Sequence, residues 1–113
     1  MKKPTNHLPA APSGLSTEAG QWWASIVRDY ALEPSALLIL ENALSSFDTM
    51  RAAQALIKKD GLVSVDRFGQ AKAHPATLIE RDSKATMLRH LQQLGLDLEP
   101  LHAGPGRPPA GGR

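Results

Sequence analysis

Residues 61–75 read Gly-Leu-Val-Ser-Val-Asp-Arg-Phe-Gly-Gln-Ala-Lys-Ala-His-Pro and fall between two long helical patterns, so they limit what this chain can fold into. An apolar, partly β-branched run at 62–65, a turn at 66–69 and a polar return at 70–73 predict a short β-hairpin. Asp66 suits the first turn position, and Gly69 tolerates the positive φ that a tight turn often needs. His74-Pro75 then stops the return strand and opens a helix, because proline at a first helical position lacks only a donor that is unpaired there. A lone hairpin of this size is marginal in water. It must lean on the helices or on another chain, which points towards assembly.

The two ends differ from the middle. Pro4, Pro9, Pro12 and Gly14 crowd the start, and residues 99–113 hold four prolines and four glycines. Such stretches bury too little apolar surface to offset their ordering entropy. The expected organisation is a flexible N-terminal arm over 1–14, a helical domain over 15–98 and a disordered Pro/Gly/Arg tail over 99–113. A domain this small buries only roughly 60% of the surface its unfolded chain exposes, so its core is thin. The net charge of +2 divides unevenly: residues 1–15 contribute +2, residues 99–113 contribute +1, and residues 16–98 balance nine cations against ten anions. The basic character therefore belongs to the tails, and the folded body is not a globally basic, duplex-gripping surface.

No cysteine is present, which excludes disulfides and thiolate metal sites and suits a reducing compartment. There is no apolar run of membrane-spanning length, and the basic start Met-Lys-Lys has no apolar stretch behind it as a signal peptide would. The expected location is the cytoplasm, with no membrane partner.

Three helices are expected. Ser16 is placed to cap the first, with Glu18 in a first turn that favours an anion. Trp22, Trp23, Ile26, Val27 and Tyr30 then recur at helical spacing, although neighbouring residues point about 100° apart, so one narrow groove should not take both indoles. Pro34 opens the second helix, which should run to Lys59 or Asp60 and end at Gly61, a rod of about 39 Å. Along it Ala36, Leu40, Ala43, Phe47, Met50, Gln54 and Ile57 form a 3.5-residue seam of the kind that packs on partner helices. The third helix should run from about Pro75 to Leu94, closed by Gly95, with Leu78, Ala85, Leu88 and Leu91 as its main apolar stripe and Ile79, Met87 and Leu94 beside it. Asp82 falls within that stripe and, as a carboxylate on a buried face, should find a cross-helix or intersubunit partner.

Catalytic chemistry finds no foothold. His7, His74, His90 and His102 are widely separated, and none forms a His-x-x-x-His pair or stands at metal-ligand spacing from a carboxylate. No phosphate-cradling Gly-x-x-x-x-Gly-Lys-Ser/Thr loop exists. Ser45-Ser46 has no base nearby in sequence. No catalytic residue, metal site or cofactor is assigned. Lys58 and Lys59 at the end of helix two, with Arg67 and Lys72 in the hairpin, are the candidates for tracking a phosphate backbone. The same lysines also suit a helix C-terminus electrostatically, and a solvated turn accounts for Arg67 as well. Arg107 and Arg113 in the tail are candidates for touching DNA or docking on a partner protein, beside a purely solvating role.

Several ordered motifs resemble a known family: Leu15-Ser16-Thr17-Glu18-Ala19 with Trp22-Trp23, Asp66-Arg67-Phe68-Gly69-Gln70 with Lys72 and His74-Pro75-Ala76, then Glu80-Arg81-Asp82, Met87-Leu88 and Leu94-Gly95-Leu96. Together they look like the small terminase subunit of tailed bacteriophages and prophages, in its short branch of three helices with a hairpin before the last. The resemblance covers about residues 15–98. It implies a non-catalytic protein of the host bacterial cytoplasm that forms multimeric rings and recognises viral double-stranded DNA. It also implies a large terminase subunit as partner, which supplies the ATPase and nuclease.

The expected fold is mainly α: a long helical hairpin of helices two and three, helix one across it, and a small β-hairpin at one end. Leu40, Phe47, Met50 and Ile57 are expected to pack between helices, within or between subunits of a homo-oligomer. Two other readings stay open. One is a small helix-turn-helix-like transcription regulator whose second helix reads a major groove. The other is a structural adaptor that ignores nucleic acid.

Overall fold

The computed structural model describes residues 8–96. The chain forms α1 (Thr17–Asp29), α2 (Pro34–Asp60), β1 (Val63–Val65), β2 (Ala71–Ala73) and α3 (Pro75–Leu94). It is mainly helical, with a two-stranded antiparallel hairpin between α2 and α3, as the sequence predicts. The expectations for residues 1–7 and 97–113, including Arg107 and Arg113, lie outside the described residues. Among the described residues no helix is long and apolar enough to cross a membrane.

Local signals set the element ends. Ser16 caps α1, its Oγ accepting from the Ala19 amide at 3.0 Å. The same residue reaches across to α2: its backbone N–H donates to Asp48 Oδ2 at 2.8 Å, and its hydroxyl donates to the other carboxylate oxygen. One turn further on, Arg51 of α2 grips the Glu18 carboxylate with Nε and Nη2, each at 3.2 Å. The start of α1 is thereby fixed to the middle of α2. Gly61 ends α2 at φ 90°, and Gly95 ends α3 in the left-handed region at φ 66°, conformations that a Cβ would strain.

The adjacent tryptophans diverge. Trp23 is buried and its indole N–H donates to the Pro9 carbonyl at 2.9 Å, whereas Trp22 is 49% exposed. Trp23 joins Ala19, Val27, Leu40, Leu44, Phe47 and Met50 in the core. The expected seam of α2 is its inward face: Leu40, Ala43, Phe47 and Met50 are buried, and Ala36, Gln54 and Ile57 are half-buried. Met87 and Leu94 of α3 pack against the same cluster.

The face presented by α3 differs from the one its leucines suggest. Leu78 and Leu88 are about half exposed and Ala85 is exposed, Leu91 of the same stripe is half-buried, and positions 76, 80, 83, 87, 90 and 94 are buried or half-buried. The rotation is set by what α2 offers. Gln54 Nε2 donates to Glu80 Oε2 at 3.0 Å and itself accepts from Arg51 Nη1 at 2.8 Å, so a polar chain runs from α1 through α2 to α3. Asp82 consequently faces water within the chain and, among the described residues, its ion pair is with Arg81 of its own helix, at 3.7 Å. The expected cross-helix partner is not needed within one chain, because the carboxylate is not desolvated there.

One side chain closes the base of the hairpin. His74 caps α3 by accepting the Ala76 N–H at Nδ1, 3.0 Å away. In the neutral ring the proton is then on Nε2, which donates to Asp60 Oδ2 at 2.9 Å. The His74 amide also donates to the Leu62 carbonyl at 2.7 Å. The end of α2 and the start of α3 are thus held through one imidazole. Replacing His74 with alanine should cost about 1–2 kcal/mol of unfolding free energy, from a lost cap and a lost hydrogen bond. Urea unfolding followed by far-UV circular dichroism reads this; an unchanged midpoint would show that the imidazole holds nothing.

Candidate functional site

The hairpin pairs Val63 with Ala73, Ser64 with Lys72 and Val65 with Ala71. Directly opposed residues share a face, so Val63, Val65, Ala71 and Ala73 form one apolar face, and Ser64 and Lys72 point the other way. All four apolar members are exposed. The loop is ordered by Asp66. Its backbone N–H and C=O pair with the Gln70 carbonyl and the Gly69 amide, and its Oδ1 accepts from the Phe68 and Gln70 amides at 2.8 and 2.9 Å. Gly69 takes φ 80°, completing the turn and single positive-φ residue typical of three-residue hairpin loops. This arrangement leaves Phe68 at the tip, 75% exposed.

The four cations singled out in the sequence are placed at this end of the molecule. Lys58 and Lys59 occupy the last turn of α2 and are exposed. Arg67 lies at the tip, its guanidinium carbon 5.2 Å from the centre of the Phe68 ring. Lys72 extends from β2 to within 3.6 Å of Asp66. The two local carboxylates are occupied, Asp60 by His74 and Asp66 by backbone amides and Lys72. Among the described residues no ion pair engages Lys58, Lys59 or Arg67. Their charge is therefore less diluted than a count of nearby acids suggests.

The residues proposed for helix packing are placed differently. Leu40, Phe47 and Met50 are buried within one chain, and Ile57 is half-buried beside the hairpin end of α2. A further feature has no local signal in the sequence. Trp22 and Ile26 of α1, Leu44 and Phe47 of α2, and Met87 and Leu91 of α3 line an open apolar groove. Glu18 and Arg51 stand at its rim, with the Arg51 guanidinium 4.8 Å from the Phe47 ring centre. Three helices separated in sequence build it, so no single periodicity announces it.

No curated protein and no solved structure shows a significant match to this chain. The sequence does match a family described as phage terminase, small subunit, over residues 19–99. That span begins at Ala19, where α1 is buried against the rest of the core, and runs through α2, the hairpin and α3. The protein belongs to the small-subunit family of phage terminases, which works in packaging phage DNA.

Proposed function

We propose that this protein is the non-catalytic, DNA-recognising subunit of a packaging terminase, acting in the host bacterial cytoplasm as a homo-oligomer, arranged as a ring, that regulates a separate large subunit. Family membership supports the packaging role. The observation that carries the DNA-binding part is the collection of Lys58, Lys59, Arg67 and Lys72 at one end, where both neighbouring aspartates are already engaged. Such a cluster follows a phosphate backbone without reading base edges. Self-assembly is supported by the unusual amount of large apolar surface left bare, including Leu38, Leu56, Leu62, Val65, Phe68 and Leu78, each at least 47% exposed. Among these, Val65 shares one exposed apolar face of the hairpin with Val63, Ala71 and Ala73, and an exposed apolar patch marks an interaction surface.

The regulator reading is weaker. A helix that enters a major groove needs cations to meet the flanking phosphates. Residues 34–50 of α2 carry Glu41 and Asp48 and no lysine or arginine.

The test is electrophoretic retardation of linear viral double-stranded DNA over a salt series, for the natural chain and for a variant with Lys58, Lys59, Arg67 and Lys72 all changed to alanine. Retention should fall roughly tenfold or more, with a shallower salt dependence, because up to four phosphate contacts are removed. Unchanged DNA affinity in a variant of unchanged native mass would refute the hairpin-end assignment and turn attention to Arg107 and Arg113.

A further inference from the structure

We propose that Phe68 of one copy seats in the groove between α1, α2 and α3 of the next, joining the subunits head to tail. The inference rests on the homo-oligomeric reading above and names the surfaces that make it.

Phe68 stands apart from the core of its own chain. Asp66 and Gly69 account for the turn, and the aromatic ring, 75% exposed among the described residues, lies against the Arg67 guanidinium. An aromatic side chain carried on an ordered loop is the form that interface anchors take, because little side-chain entropy is lost when it is buried. The groove is the complementary shape. It is open to solvent and apolar, and its wall includes the half-exposed Trp22.

Charge decides which surfaces meet. Residues 17–57 and 75–94, which supply α1, most of α2 and α3 around the groove, together hold seven carboxylates against five cations. Residues 58–74, which supply the end of α2 and the hairpin, hold four cations against two aspartates. Two hairpins meeting about a two-fold axis would oppose like charges, and so would two grooves. A hairpin meeting a groove opposes a net positive surface to a net negative one, with the half-exposed Glu18–Arg51 pair at the rim. The favoured contact is therefore heterologous, with different patches on the two copies, and contacts of that type generate rings when the rotation closes. In this arrangement Phe68 makes the joint, and Lys58, Lys59, Arg67 and Lys72 remain available to nucleic acid.

Two measurements on the full chain test this. In the first, native mass by light scattering after size exclusion is compared for the natural chain and Phe68→Ala. The exposed site makes the variant's fold safe, and circular dichroism verifies it. Phe68→Ala should weaken association by roughly tenfold or more, as loss of an aromatic anchor does. In the second, cysteines are introduced at Gln70, beside the tip, and at Glu18, on the groove rim, in a chain that has none of its own, so that Phe68 and Trp22 stay in place, and diamide is added as oxidant. The double variant should give a ladder of disulfide-linked multimers, and an equimolar mixture of the two single variants should give a Gln70→Cys to Glu18→Cys dimer. A natural chain that is monomeric overturns both the oligomeric reading and this inference. A natural assembly that survives Phe68→Ala, and in which the mixture gives no cross-linked pair, overturns this inference alone.

Discussion

Changing Leu40 to alanine should remove about 3–5 kcal/mol of stability, the range for emptying a fully enclosed leucine site. Leu40 has no exposed surface and lies where α1 and α3 both close on α2. Stability for small domains is roughly 5–15 kcal/mol in total, so this one change consumes a large part of it. The thermal midpoint should drop by roughly 12 °C or more, since each kcal/mol shifts a domain of this size by about 4–8 °C. The control is Leu38→Ala, two residues away and 64% exposed. Measured in dilute solution, that change should stay within about 0.5 kcal/mol of the parent. Comparable losses at both positions would mean that the core is not where α1, α2 and α3 meet. Repeating both melts over a range of protein concentrations separates core loss, which is independent of concentration, from loss of subunit contacts, which is not.

Trp23→Ala is expected to be of similar size, about 3–5 kcal/mol, because it empties the largest side-chain site of the core. A companion variant isolates the polar part of the effect. Trp23→Phe keeps an aromatic ring against Val27 and Phe47 but deletes the donor that meets the Pro9 carbonyl. It should cost about 1 kcal/mol from the hydrogen bond, plus the smaller volume of the ring. Hydrogen exchange of the amides around residues 8–14 should speed up in Trp23→Phe while those of α2 change little. Trp22→Phe is the control, and it should alter neither. Equal responses at the two tryptophans would overturn the assignment of one to the core and the other to the groove.

Those two residues also show where sequence reasoning reaches its limit. Their divergence follows from the 100° step of a helix, but which indole turns inward is set by the Ala19–Trp23–Val27 face meeting a core built from α2, with the buried donor met by a carbonyl fourteen residues earlier. Ends and turns were readable because their causes are local: the Ser16 hydroxyl, Pro34, Gly61, Asp66 with Gly69, and Gly95 each act within a few residues. The inward face of α2 was readable because its seam is long and regular. The rotation of α3 was not, since it is fixed by Gln54 meeting Glu80 and by Met87 and Leu94 entering a core built elsewhere. A stripe of leucines that points to water looks the same in sequence as one that points to a core. The candidate site was legible in part for the same reason. Lys58, Lys59, Arg67 and Lys72 lie close together along the chain, whereas the groove combines residues from three helices, and the pairs Ser16–Asp48 and Glu18–Arg51 are separated by 32 and 33 positions. His74 was visible only as a stop before Pro75; its second bond, to Asp60, needed the folded hairpin to appear.

The hairpin footing has a geometric consequence. With His74 bonded to Leu62, Asp60 and Ala76 at once, the strands cannot swivel freely on the helices, and the tip is carried at a set direction from its own body. In an assembly joined through Phe68, that direction is the bend between one member and the next. Curvature, and with it the number of members needed to complete a circle, is then written in the length and pitch of a few hairpin residues. The strength of the joint is a separate quantity, held in the groove. Adding one residue to the loop at 66–69 would accordingly alter how many copies close the circle, while Trp22→Ala would alter how tightly they hold.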